Sequence, residues 1–244
     1  TSDAIAVLYP WRGVGVVGVA ANLFDLGTQE ETPPGGGPPI GSFVFRNVVA
    51  SLTLARPFGS RVDVGLTYKL VQLRLDCSGQ CSSVPVDAST TSAVDAGVRV
   101  ALHGGAPISV GAAIRNAGPS LRQPDSEIRE PLPTRWQAGL LYDVPGVERY
   151  APDVEVRLAG DVVSAVEEMR PGLRVGAEVT WQRRVALRGG YIFREGGATA
   201  GATGPTVGLG LVAGRLMVDI AREFQGLSVD AGQPPTYVSL RYLF

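Results

Sequence analysis

The chain has 244 residues, with 32 glycines, 18 prolines and only 18% charged residues. That length fits one large β domain or two small ones, and the glycine-rich composition favours strands and turns over helices. A net charge of −1 gives no electrostatic basis for binding nucleic acid, which we exclude as a partner. The sequence contains no apolar run near the roughly 18 residues of a spanning helix, so it can cross a membrane only as a closed barrel of strands.

The first predicted strand covers Trp11 to Phe24, and a loop rich in proline and glycine follows from Gly27 to Ile40. This strand contains glycines at positions 13, 15 and 18, the spacing of a dinucleotide-binding loop. Such a loop needs a strand before it and a helix after it, whereas a proline precedes this one and no segment with helical period follows. We therefore interpret the glycines as close-packing positions within a strand.

The remaining predicted strands alternate apolar and polar residues with a period of two. They are 42–56, 61–75, 91–102, 108–115, 135–143, 154–162, 173–181, 185–193, 206–212, 216–224 and 237–244. The total is about twelve strands, each close to the ~9–11 residues that cross a bilayer when tilted. Apart from a medium connection near Pro145, the connections alternate between short and long, as the periplasmic turns and external loops of outer-membrane barrels do.

The last predicted strand, Tyr237 to Phe244, has one apolar face and ends on an aromatic residue. It resembles the closing strand of a bacterial outer-membrane barrel, in which the terminal aromatic strand is read by the assembly machinery. An edge strand of a soluble β-sandwich is the alternative. The sorting of connections by length favours the barrel, because a soluble sandwich has no reason for it.

We therefore predict an all-β chain whose residues 1–244 form a single transmembrane antiparallel β-barrel domain in contact with outer-membrane lipid. An even strand number places both termini in the periplasm. The start at Thr1, without a signal segment, leads us to expect a mature form or a fragment. A barrel of about fourteen strands, two of them upstream, is the alternative.

Charged side chains of the predicted strands fall on the face opposite the apolar residues. They are Asp63, Lys69, Asp95, Arg99, Arg115, Arg135, Glu155, Arg157, Asp161, Arg174, Glu178, Arg188, Asp219 and Arg241. An apolar sandwich core could not hold so many charges, whereas in a barrel lumen they can pair across strands or contact water. Two interpretations stay open, a narrow lumen filled by paired side chains and a pore that conducts or holds a ligand.

Cys77 and Cys81 lie in one predicted external loop, where the oxidising envelope allows a disulfide. A metal site is the alternative, but it would need further ligands and the chain has a single histidine. That residue, His103, falls in a predicted periplasmic turn among glycines, so we do not expect a Ser-His-Asp site. We predict no cofactor and no enzymatic activity.

Short motifs in the second part of the chain carry a family resemblance. They are Ile114-Arg-Asn-Ala-Gly-Pro119, Leu132-Pro133 with Arg135-Trp-Gln-Ala-Gly139, Gly176-Ala-Glu178, Ala186-Leu-Arg-Gly-Gly-Tyr191, Gly208-Leu-Gly210 and Ser239-Leu-Arg-Tyr-Leu-Phe244. In this order they resemble the PorV/PorQ family of outer-membrane proteins, relatives of the FadL-type barrels. The resemblance implies a barrel of about fourteen strands.

PorV itself serves type IX secretion by receiving the C-terminal signal domain of exported cargo. FadL-like relatives pass hydrophobic molecules through a barrel plugged by an N-terminal hatch, and no hatch-sized segment precedes the first predicted strand here. We therefore expect a barrel that binds a protein partner in secretion or envelope assembly, through its loops or lumen. Transport of a hydrophobic small molecule and purely structural anchoring are the alternatives. An apolar lumen pocket would favour transport, whereas paired charges would favour the other two.

Overall fold

The computed structural model describes residues 1–33, 35–80, 87–102, 107–122, 129–165, 171–193, 203–224 and 235–244. Its main sheet has thirteen antiparallel strands that are hydrogen-bonded in chain order, and β7 and β8 form a separate two-stranded sheet. The strands are β1 (Ser2–Trp11), β2 (Gly15–Glu31), β3 (Gly41–Phe58), β4 (Val62–Gly79), β5 (Asp87–Ala101), β6 (Ile108–Ala117), β7 (Leu121–Arg122), β8 (Arg129–Glu130), β9 (Arg135–Asp143), β10 (Val154–Ala165), β11 (Gly172–Trp181), β12 (Val185–Phe193), β13 (Gly204–Ala213), β14 (Leu216–Glu223) and β15 (Thr236–Tyr242). A short 3-10 helix, Val147–Arg149, lies between β9 and β10.

The chain divides into two compact units. Unit 1 comprises residues 1–58, 63–98 and 114–135, and unit 2 comprises residues 59–62, 99–113 and 136–244. In unit 1, β1, β2 and β3 form a continuous antiparallel ladder. In unit 2, β10 to β15 do the same. Among the described residues, no helix is long and apolar enough to span a membrane.

Strand β1 adds one strand to the number predicted. It pairs with β2 along its whole length, and the turn between them contains Gly13 and is closed by Gly15, both with positive φ. The prediction of a strand starting at Trp11 is therefore wrong, because these two glycines shape a turn. Gly18 is a close-packing position, as predicted, since a Cβ there would lie 2.4 Å from Leu8 Cδ2.

Strand β2 also runs further than predicted. The predicted loop from Gly27 is wrong at its start, because the strand continues to Glu31 after a bulge at which Gly27 has φ 77°. Just before the bulge, the Arg46 side chain pairs with Asp25 at 3.0 Å and with Asp76 at 3.5 Å. Strands β2, β3 and β4 reach 17, 18 and 18 residues.

The strand bounds show short and long connections alternating except around β10, where the connection before it, residues 144–153, is longer than the connection after it, residues 166–171. Only residues 182–184 separate β11 from β12, whereas residues 194–203 separate β12 from β13. With β1 included, Thr1 lies beside Asp25 at the long-connection end of unit 1. Leu243 donates a hydrogen bond to Arg215 O in a short turn of unit 2. The prediction that both termini are periplasmic rested on an even strand number, and the main sheet has thirteen strands. The side of the membrane on which each terminus lies therefore stays a prediction.

Strands such as β11 expose their apolar side chains and partly bury their charged ones. In β11, Leu173, Val175 and Val179 are each more than 40% exposed, whereas Arg174 and Glu178 on the opposite face are half-buried. A soluble protein shows the reverse. We call the face with the charges the polar face of each unit and the other face the apolar face. The apolar face therefore needs a non-aqueous environment.

Candidate functional site

The polar face of unit 2 carries a network of ion pairs that crosses several strands. Glu178 on β11 lies opposite Arg157 on one side and Arg188 on the other. Its carboxylate is 3.5 Å from Arg157 Nη1 and accepts a hydrogen bond from Arg188 Nε at 2.6 Å. Arg157 Nε also donates to Asp143 Oδ1 at 2.9 Å. Opposite charges at opposed positions stabilise the sheet, which accounts for this alternation of sign.

Arg188 extends the network across a strand that has no side chain in the way. Its guanidinium reaches Asp219 on β14, although β13 lies between the two residues. The residues of β13 along this path are Gly208 and Gly210. A Cβ at Gly210 would lie 2.6 Å from Asp219 Oδ1 and 3.1 Å from Arg188 Nη1. The Gly-Leu-Gly motif thus provides the space that the ion pair occupies.

The turn between β11 and β12 carries a further ion pair of unit 2. Arg183 Nε donates a hydrogen bond to Glu155 Oε1 at 2.7 Å. This hydrogen bond raises the pKa of the Arg183 guanidinium above its usual value. Gln182 and Arg183 both have positive φ, which is uncommon for residues other than glycine.

The polar face of unit 1 holds a three-residue cluster. Lys69 Nζ lies 2.6 Å from Asp95 Oδ2 and donates a hydrogen bond to Asn116 Oδ1 at 2.9 Å. The backbone N–H of Asn116 donates to the other Asp95 oxygen at 2.8 Å. The Lys69 and Asp95 side chains are only 17% and 20% exposed. Asn116 has φ 57°, which turns the chain at the end of β6.

The chain after β6 folds back onto the polar face of unit 1. We call its described parts, 118–122 and 129–134, the return segment. Leu121 and Leu132 are about 5% exposed and pack in one buried cluster with Val71 and Ala93, which lie on the face that carries Lys69 and Asp95. This apolar cluster lies beside Lys69 and Asp95. It fixes both described parts of the return segment, because each part contributes one leucine.

Hydrogen bonds from β5 hold the return segment in place. Ser89 Oγ donates to Arg122 O at 2.6 Å and Thr91 Oγ1 donates to Pro119 O at 3.0 Å. Gly118 allows this close approach, because a Cβ there would lie 2.2 Å from Ser92 O. The contacts on both sides make the return segment a fixed part of this face.

The charged residues predicted to face a lumen fall into three groups. Lys69, Asp95, Glu155, Arg157, Glu178, Arg188 and Asp219 form the ion pairs described above. Asp63 and Arg99 have polar partners, among them the Ser109 hydroxyl at 3.5 Å from Arg99. Arg115, Arg135, Arg174 and Arg241 form no ion pair within the described part of the chain, and Asp161 has one buried carboxylate oxygen that lacks a hydrogen-bond partner there. That these residues line a lumen stays a prediction.

Several residues of these sites were not predicted as site residues. Asp143 could have been found, because it shares the polar alternation of β9 with Arg135. Asn116, Leu121 and Leu132 lie outside the alternating segments, so the period gave no signal for them.

The predictions for cysteine, histidine and the C-terminus have different outcomes. Cys77 is a disulfide cysteine, and its predicted partner Cys81 lies outside the described residues, as His103 does. Phe244 is 79% exposed and follows β15, and its role in assembly stays a prediction. Across the described ranges, no three acidic, histidine or cysteine side chains form a group suited to a metal ion.

No family model matches the sequence, and no curated protein matches it either. Among solved structures, the chain is similar to CdiB from Acinetobacter baumannii, with a TM-score of 0.52 and 15% sequence identity over 98% of this chain. The fold is a β-barrel. This chain spans 49% of the CdiB chain, about half of its length. The resemblance to the PorV/PorQ family stays a prediction.

Proposed function

We propose that the chain is an outer-membrane β-barrel that binds a protein partner in secretion or envelope assembly, as expected of the PorV/PorQ type. The observation that carries the membrane location is the inverted polarity of the strands. Leu158 and Leu187 are 43% and 62% exposed, whereas the carboxylates of Glu178 and Asp219 on the other face are about one quarter exposed. Lipid acyl chains would cover such an apolar face, and water would hydrate the polar one.

Two features favour partner binding over transport of hydrophobic molecules. In unit 2, Arg157, Glu178, Arg188 and Asp219 pair across strands, so this part of the polar face offers a hydrophobic solute charges and not apolar surface. In unit 1, Leu121 and Leu132 of the return segment already bury the apolar cluster of the polar face. Both features support a polar face that is occupied by its own side chains. The proposed role is one of binding, without catalysis.

The first test is to refold the full chain in detergent and to measure its single-channel conductance in a planar bilayer. We expect a β-rich, heat-modifiable protein that inserts into the bilayer without steady current steps. Steady steps from a protein verified as folded would favour transport instead. A chain that is soluble and monomeric without detergent would contradict the membrane location.

Partner binding is tested separately on the tagged protein expressed in its own envelope. We expect a second protein to co-purify in a fixed stoichiometry after detergent extraction, and not with an unrelated barrel that carries the same tag. Recovery of the tagged chain alone, under conditions that preserve other envelope complexes, would favour the anchoring role.

A further inference from the structure

Two arginines of unit 1 stand opposite each other, and within the described residues neither of them forms an ion pair. Strands β6 and β9 are hydrogen-bonded neighbours. Asp143 N donates to Pro107 O at one end of this pair, and Thr134 Oγ1 donates to Asn116 O at the other. Both bonds fit one register, in which Arg115 lies opposite Arg135. Opposed residues of this kind have Cα atoms about 5.5 Å apart and side chains on the same face.

This arginine pair lies on the polar face of unit 1. Ile114 and Trp136, which precede and follow the two arginines in the chain, are on the apolar face and are 41% and 43% exposed. Because side chains alternate along a strand, both guanidinium groups point away from the face that lipid would cover. A lipid headgroup is therefore not the expected ligand, and a ligand from the aqueous phase is.

The surroundings of the pair carry an excess of positive charge. Asp95, which the bond from Leu102 N to Ile108 O places opposite Arg115 on β5, is already engaged by Lys69 at 2.6 Å and by the Asn116 N–H at 2.8 Å. Like charges at opposed positions destabilise a sheet. A bound anion would remove this repulsion.

We propose that Arg115 and Arg135 form a binding site for an oxyanion, supplied by the carboxylates of an acidic segment of the protein partner. Two neighbouring guanidinium groups suit this ligand, because each can donate two parallel hydrogen bonds to one carboxylate. The identity of the ligand as a partner segment rests on the proposed function. Inorganic phosphate shares the same chemistry and serves as the second probe.

The binding test uses the refolded full chain in detergent micelles and a fluorescently labelled peptide of alternating aspartate and serine. Arg115→Gln and Arg135→Gln are each expected to weaken binding about tenfold, and the double variant to abolish it. Arg12→Gln, in the turn between β1 and β2, is the matched control and is expected to bind as the wild type does. Inorganic phosphate at millimolar concentration is expected to compete with the peptide.

A second measurement does not depend on the peptide. Without added anion, each Arg→Gln variant is expected to unfold at a higher urea concentration than the wild type, because the repulsion is gone. Phosphate is expected to stabilise the wild type and to leave the double variant unchanged.

Three results would overturn the proposal or part of it. Equal peptide binding by the double variant and Arg12→Gln would exclude the site. Phosphate stabilisation without peptide binding would retain the oxyanion site and exclude the acidic segment as its ligand. Lower stability of both single variants without anion would show that the arginines are not in repulsion. All samples are first checked for heat modifiability and bilayer insertion, so that a failed membrane location is recognised separately.

Discussion

At the scale of single residues, glycine determines where charges on this protein can meet. Gly210 lies under the Arg188–Asp219 ion pair, and a side chain there would occupy the position of the Asp219 carboxylate. In the sequence, Gly210 is part of a Gly-Leu-Gly motif. The register of β12, β13 and β14 shows that this glycine lies between Arg188 and Asp219. A small residue here is therefore needed for an interaction between two other residues.

Gly210→Ala is expected to lower the free energy of unfolding by roughly 1–3 kcal/mol, because the added methyl group separates the ion pair. Urea unfolding in lipid vesicles, followed by tryptophan fluorescence, measures the change. Gly189→Ala is the matched control, since a Cβ at that position has nothing within 4 Å, and it is expected to change stability by no more than ~0.5 kcal/mol. An equal effect of both substitutions would contradict this role of Gly210.

At the scale of elements, the return segment is anchored by few side chains and shields the apolar part of a polar face. Leu132 is 6% exposed and belongs to the cluster that contains Val71 and Ala93. The hydrogen bonds from Ser89 and Thr91 fix the same segment to β5. Apolar packing and hydrogen bonding thus act on the same short stretch.

Leu132→Ala is expected to cost about 2–4 kcal/mol of unfolding free energy, because a cavity replaces the buried side chain. The measurement is the same urea titration, with Val14→Ala in the exposed β1–β2 turn as the control. We also expect the Leu132 variant to gain conductance in the planar bilayer if the return segment restricts a pathway. A cost below that of the Val14 control would show that the cluster does not anchor the segment.

At the scale of the whole molecule, the sequence predicted the strands whose two faces differ in polarity and missed the strand whose faces do not. In β1, Ala4, Ala6 and Leu8 alternate with apolar Ile5 and Val7, so no period of two could be recognised. The end of β2 was missed because its glycine bulge and polar residues are typical of a loop. Strand β1 was thus missed because it lacks a polar alternation, and the end of β2 because its residues resemble those of a loop.

The sites were harder to predict than the fold, because they depend on which residues face each other across strands. The alternation placed Arg188 and Asp219 on a polar face, but their contact requires the register of β12, β13 and β14. The return segment packs against β4 and β5, which are distant in sequence, so no local pattern indicates it. The opposed pair of Arg115 and Arg135 likewise follows from strand register alone.

With the proposed membrane location, the unusual length of β2, β3 and β4 would carry one end of these strands beyond the lipid. Eighteen residues at about 3.3 Å each span roughly 60 Å along a strand, and a tilt near 40° leaves about 45 Å across the membrane, against an apolar band of ~25 Å. We call β2, β3 and β4 beyond the lipid the ribbon. The ribbon, in which Arg46 pairs with Asp25 and Asp76, would then extend about 20 Å from the lipid on one side.

An epitope inserted between Gly36 and Gly37 is therefore expected to bind antibody on intact cells. The same epitope inserted into the turn at residues 182–184 is expected to bind only after the outer membrane is permeabilised. The reverse labelling would place the ribbon in the periplasm. The ribbon would then be a part of unit 1 that antibodies, bacteriophages and neighbouring cells encounter.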